Sequence, residues 1–263
     1  MNSLHITNGD LAAERLAASG LPGEFFAWSD ILFAGPRRDS GWPADGDLAA
    51  RAAFIAETFG LEAPTVLAKL ETQYAKLSDV FAYDELVLWF DACLMDQTTL
   101  VHLLACLDDI AYRLTSRPTY RRAELICISA FRGIADFHGL GQLRPVDFAG
   151  LYPLRRTLAL PDFAMARRAD RAFAQGDTRQ IRRLAREPSS TLPFLPAACA
   201  RWLEELPDAA GLGKLDRLIL EAIEGGARDF PAVHRWVAAA DSSPRFWGDS
   251  WLQAKYRELL AGR

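Results

Sequence analysis

The chain has 263 residues, of which 50% are hydrophobic and 24% charged, a balance that supports a sizeable core and excludes disorder as a global description. Its formal net charge is −4, and no apolar stretch approaches the roughly 18 to 20 residues of a membrane span. A soluble, unexported, cytoplasmic protein without a membrane partner is therefore expected. Cys93, Cys106, Cys127 and Cys199 are widely spaced in apolar settings, without a Cys-x-x-Cys pair or a His at ligand spacing. That pattern reads as buried thiols in a reducing compartment and argues against structural zinc.

The charge is unevenly distributed. Residues 1–100 hold 6 Lys/Arg against 15 Asp/Glu, and residues 101–263 hold 24 against 19. Nine arginines and four acids fall between Leu151 and Ser190 alone, either as the solvated faces of amphipathic helices or as a surface for a polyanion.

In chain order, the first element is a strand, Leu4–Thr7, which breaks at Asn8-Gly9-Asp10 into a helix over Asp10–Ser19. A second strand is expected at Glu24–Trp28, then helices over Asp47–Phe59 and Thr65–Leu77, a strand at Leu86–Phe90, a helix over Thr98–Arg113 and a fourth strand at Leu125–Ser129. Leu100, Leu103, Leu104 and Leu107 illustrate the helical spacing. Strands alternating with helices imply βαβ units, hence an α/β region with a mainly parallel sheet of about four strands and helices on its faces.

After Ser129 the strand signal fades into a mostly helical region. The expected layout is an α/β domain over 1–143, an Arg-rich helical connector over 144–190 and a C-terminal trihelical domain over 191–263. Leu192–Leu206, Lys214–Glu224 and Phe230–Ala240 are its helices, followed by Trp251–Leu260. Three short helices with tight connections match a helix-turn-helix or winged-helix core, with Arg228, His234, Arg235 and Arg245 available to nucleic acid. Such cores also serve as docking modules.

The candidate site gathers at the carboxyl ends of the strands, where open α/β sheets bind ligands. His5, Asp10 and Asp30 are the candidate catalytic residues, His5 as acid or base and the two acids as acid/base groups or ligands of a divalent metal. Asn8, Gly9, Asp91, Asp96, Gln97, Gly139, Gly141 and Gln142 are candidate ligand contacts, and Trp28 and Trp89 candidate stacking walls. Each has a plainer reading: a core histidine, core tryptophans, turn glycines and helix-capping acids. The convergence of four such clusters after four strands is what predicts a crevice.

Leu4-His-Ile-Thr-Asn-Gly-Asp10, Gly23-Glu-Phe-Phe-Ala-Trp-Ser-Asp30 with Gly35-Pro36, Leu88-Trp-Phe-Asp91 with Asp96-Gln97, Gly139-Leu-Gly-Gln-Leu143 and Leu192-Pro-Phe-Leu-Pro-Ala-Ala198 together resemble an uncharacterised bacterial family, domain of unknown function 1835, which is usually followed by a second uncharacterised helical domain. The resemblance spans most of the chain and implies a bacterial protein with a two-part layout, but no catalytic residue. The expected function is binding of a nucleotide-like or phosphate-ester ligand at the strand-end rim, by a metal-assisted hydrolase or transferase. The alternative is a regulator or adaptor whose helical half binds nucleic acid or a protein.

Overall fold

A computed structural model describes residues 2–115, 122–188, 191–241 and 247–262. Strand β1 (Ser3–Asn8) leads through α1 (Asp10–Ala17) into β2 (Glu24–Trp28). A loop, α2 (Asp47–Phe59) and α3 (Ala63–Ser78) then cross back to β3 (Glu85–Asp91), and α4 (Leu94–Thr115) leads to β4 (Ala123–Ile128). The chain continues through α5 (Pro145–Leu151), a short β5 (Arg156–Thr157), α6 (Leu160–Ala174), α7 (Thr178–Arg186), α8 (Leu195–Glu204), α9 (Lys214–Glu224), α10 (Phe230–Ala240) and α11 (Asp249–Ala261).

The sheet order is β2-β1-β3-β4-β5. The first four strands run parallel and β5 pairs antiparallel with β4. The mainly parallel α/β sheet and the helical second half match the expected fold class. β5 was not anticipated: two residues carry no strand period, and pairing with β4 alone defines it.

The central strands are buried on both faces, as parallel strands between helical layers must be. Leu4, Ile6, Leu86, Leu88, Phe90 and Trp28 face α3 and α4 in the larger core. Val87, Trp89 and Ile126 face the other layer, made by Ala12 and Leu16 of α1 and by Leu140, Leu143, Phe148 and Leu151 around α5. The period of two thus assigns each residue its layer.

Helix α4 is apolar nearly all round through Leu100–Leu107 because it lies between the sheet and a second helical layer, touching β3, α6 and α8. The larger core runs without a break from Leu4 and Leu88 to Ile219, Val237 and Leu252 of the C-terminal helices. Among those, α8 packs mainly on α7 and α4, while α9 packs on α10 and α11. This differs from the expected trio of α8, α9 and α10. The apolar face of α8 serves the α4 layer, which sequence spacing cannot reveal.

Between β2 and α2 the chain is pinned to the helical layer by charge. Asp170 of α6 accepts from Arg37, from Ser40 Oγ at 2.9 Å and from the Gly41 amide at 2.8 Å, and lies 3.3 Å from His102 Nδ1. Burial alone would raise the Asp170 pKa, but Arg37 and His102 outweigh it and hold the carboxyl below the usual range. His102 Nε2 sits 2.6 Å from the Tyr74 hydroxyl. These groups are buried and paired with one another, so they fasten the loop onto α4 and α6.

Candidate functional site

The order β2-β1-β3 reverses the direction of winding at β1, with α1 on one face of the sheet and α4 on the other. Chain ends separate at such a point and leave a crevice at the strand carboxyl ends. A cavity of about 640 Å³ opens there toward β2, within the size range of small-molecule sites. Asn8, Gly9, Ser29 and Asp30 form its floor.

The walls come from elements that the sequence pattern does not connect to the rim. Ile55 and Phe59 of α2, Val66, Lys69 and Leu70 of α3, Met95 at the start of α4 and Trp251 of α11 line it. Gly60 ends α2 with φ 69°, a left-handed conformation that glycine adopts without strain, and so turns the chain into the α2/α3 hairpin. Trp251 meets Phe33 edge-on at 5.0 Å between ring centres, which seats the start of α11 against the sheet end. The amphipathic pattern of α2 and α3 announced an apolar face. That part of this face would stay open as a wall was not legible.

Gly9 has φ 81°, donates from its amide to Trp28 O at 2.9 Å, and precedes the first residue of α1. The starts of α1 and α11 border the cavity, as do those of α3 at Glu62 and α4 at Met95. Their free amides favour a negatively charged group. Lys69 adds a cation, 3.5 Å from the exposed Asp10 carboxylate. Asp10 stands at the outer edge of this rim, apart from Asp30.

Asp30 is buried, accepts from the Ile31 amide at 2.7 Å and pairs with the buried Arg51 guanidinium. Arg51 also donates to Ala34 O at 2.7 Å. Asp30 is therefore a paired structural anion beneath the cavity, and the expected Asp10/Asp30 acid-base or metal pair does not assemble.

A tighter cluster lies beside it, between β1 and β3. Asn8 Nδ2 donates to Asp96 Oδ1 at 2.7 Å, the Asp91 amide donates to Asp96 Oδ2 at 2.7 Å, and the Cys93 amide donates to Asp91 Oδ1 at 2.8 Å. Gln97 Nε2 donates to Asp91 O at 2.6 Å, bracing the turn from β3 into α4. Burial and the adjacent Asp91 carboxylate push the Asp96 carboxyl well above the usual range, and burial raises Asp91 as well. Two acids this close and this dry each disfavour the charged form of the other. Burial and the same two acids also push the Cys93 thiol well up, which disfavours its thiolate.

Asp91, Cys93 and Asp96 offer three ligand atoms within 4.8 Å of one another, the one such group among the described residues. Their donor set suits a divalent cation. The carboxylate oxygens are already engaged by the Asn8 amide and by backbone N–H groups, and a Cβ on Gly139 would lie 2.8 Å from Asp91 Oδ2. A cation there would have to loosen these bonds.

Several expected site residues take other roles. His5 is fully buried: Trp89 Nε1 donates to its Nδ1 at 3.1 Å, which makes Nε2 the protonated nitrogen facing Pro22 O at 3.1 Å. Burial lowers its pKa, so the ring is neutral and spent, and it is no acid or base at the rim. Trp28 and Trp89 are fully buried on opposite faces of the sheet, so they cannot wall one ligand. Gly139 admits the close approach to Asp91, with φ 152°. Gly141 packs near Leu11, and Gln142 ties its own loop through the His138 amide and Asp136 O. Of the expected contacts, Asn8, Gly9 and Asp30 border the cavity. Asp91, Asp96 and Gln97 stand behind Asn8.

All four cysteines are free, and no described helix is long and apolar enough to cross a membrane. In the C-terminal region, His234 pairs with Asp249 at 3.0 Å and stacks edge-on against Trp247, so it faces α11. Arg228 and Arg235 are exposed, and Arg245 lies outside the described residues. Compared with known proteins, the chain matches no protein-family model and no curated protein sequence, so the chemistry of the site rests on its own residues.

Proposed function

We propose that this protein binds a small nucleotide-like molecule in the rim cavity. The apolar part of the ligand would lie among Phe59, Val66, Leu70 and Trp251, and its anionic end at the starts of α1 and α11 beside Lys69. The single observation that carries this reading is a cavity of about 640 Å³ at the carboxyl ends of the parallel strands, apolar on its walls and polar on its floor. A cytoplasmic setting, consistent with the free thiols, and the resemblance to the domain of unknown function 1835 family belong to the same proposal.

Thermal unfolding against nucleosides, nucleotides and sugar phosphates tests it. A ligand at about 100 times its dissociation constant stabilises by roughly 2.7 kcal/mol. Val66→Trp, which fills the cavity, abolishes that shift. A panel in which no compound moves the wild type, or an equal shift in the filled variant, overturns the proposal.

The second reading is metal-assisted hydrolysis or transfer at the same rim, favoured by the convergence of Asp91, Cys93 and Asp96. A divalent ion supplies Lewis-acid polarisation of an ester there. Because the acids must first release their proton, stabilisation by Mg²⁺, Mn²⁺ or Zn²⁺ increases with pH and disappears in Asp96→Asn. No shift with any of these ions removes this reading and leaves the binding proposal standing.

A further inference from the structure

Helix α7 presents Arg179, Arg182, Arg183 and Arg186 at spacings of three and four, so they form one stripe, and all four are exposed. Ile181 and Leu184 on the opposite side are buried against the body. Among the described residues none of the four has a carboxylate partner, whereas the neighbouring Arg168 is paired with Glu187 at 2.7 Å and Arg171 with Asp39 at 3.6 Å. The stripe borders an open groove of about 940 Å³, whose one acid is that same Glu187.

An isolated exposed arginine is ordinary; four unpartnered guanidinium groups on nine residues repel one another. That repulsion is relieved by salt or by a partner carrying several negative charges at similar spacing. The stripe spans about 10 Å along the helix at 1.5 Å per residue. Successive phosphates of a nucleic-acid strand lie on a comparable scale, and guanidinium groups bind phosphate oxygens in a forked geometry.

Other polyanions fit less well. A membrane-surface helix inserts an apolar face, and that of α7 is committed to the core. Single-stranded nucleic acid is held by exposed aromatic rings on which bases stack, and no large exposed hydrophobic side chain belongs to α6 or α7 beyond Leu160 at the far start of α6. What remains is charge alone, which suits a duplex backbone read without regard to sequence.

We infer that the α7 arginine stripe is a docking surface for the phosphate backbone of double-stranded nucleic acid. It is separate from the rim cavity and from the α9–α11 helices. The acidic total of the chain does not oppose this, because the acidic excess lies in residues 1–100.

Fluorescence anisotropy with a labelled DNA duplex of about 20 base pairs, titrated with full-length protein from about 20 to 200 mM salt, tests the inference. Binding at low salt is expected, with a log–log salt slope of about −3 to −4 for four phosphates neutralised. R182E/R183E weakens binding at least tenfold at about 20 mM salt and lowers the slope to about half, while R182K/R183K binds within a few-fold of wild type. Equal thermal stability of the two variants shows that charge, and not folding, is responsible. Absence of duplex binding at low salt, unchanged binding in R182E/R183E, or tighter R182/R183-dependent binding to anionic vesicles or polyglutamate than to duplex overturns it.

Discussion

Asp30 and Asp91 stand at the carboxyl ends of the two strands that flank β1, yet their surroundings give them opposite chemistry. Asp30 meets Arg51, so a buried anion is matched by a buried cation. Asp91 meets Asp96, and burial raises the pKa of both, that of Asp96 further because of the Asp91 carboxylate beside it. The chain positions are similar: Asp91 is the last residue of β3 and Asp30 lies two residues past β2. The route out of the strand differs: after β2 a loop leads to α2, whose Arg51 turns back over Asp30, whereas after β3 the chain enters α4 within a few residues and Asp96 closes the turn through the Asp91 amide. A strand-end aspartate is thus a paired anion or one of two crowded acids according to the helix that covers it.

The difference predicts unequal costs when each partner is removed. Arg51→Met leaves Asp30 buried without its cation and costs about 3 to 5 kcal/mol in urea unfolding. The double variant Asp30→Asn/Arg51→Met regains much of this, because no charge is left stranded. If Arg51→Met alone costs less than about 1 kcal/mol, the pair is not the anchor described.

His5→Leu comes next, at about 2 to 3 kcal/mol, because it deprives both Trp89 Nε1 and Pro22 O of their partner. Were His5 a rim acid or base, the same substitution would act on ligand turnover with stability intact. Chemical denaturation followed at Trp fluorescence separates the two results.

The crowded pair of acids predicts a pH dependence. The folded state raises the Asp96 pKa, so its contribution is complete below the ordinary carboxylate pKa of about 4 and is lost as pH rises through the raised value. Asp170 has the opposite sign: its pKa is lowered, so its contribution is present above the ordinary value and is lost as the medium becomes more acid. Asp96→Asn therefore flattens the decline of Tm toward alkaline pH and leaves the acid side unchanged. An identical alkaline decline in wild type and variant refutes the raised Asp96 pKa.

The smallest effect belongs to the surface. Arg183→Ala changes stability by no more than about 0.5 kcal/mol, since the side chain is exposed and has no carboxylate partner among the described residues. A cost above about 1 kcal/mol in thermal unfolding would mean that the stripe holds the fold and is not free to hold a partner.

The parallel sheet and its helices were legible in the chain because their signals are local. Short apolar, β-branched or aromatic runs marked Leu4–Thr7 and Leu86–Phe90, period 3.6 marked α2, α9 and α10 to the residue, and Asn8-Gly9-Asp10 marked the turn from β1 into α1. The crevice at the strand ends followed from alternation alone. Its walls did not: Trp251 and Phe59 are 192 positions apart in the chain and meet because α11 folds back on α2. Burial was equally beyond reach, since Trp28 and Trp89 carry the same pattern on opposite faces and His5 reads like a rim residue until Trp89 and Pro22 occupy its nitrogens.

The sequence by itself determined the four parallel strands, most of the helices and that strand-end acids gather at one edge of the sheet, because backbone preference and apolar spacing act over a few residues. Only the tertiary structure decided that β5 forms, which acid finds a guanidinium, which is crowded by a second acid and which apolar face stays open as a cavity. Those outcomes depend on Coulomb and packing contacts between residues brought together from distant parts of the chain.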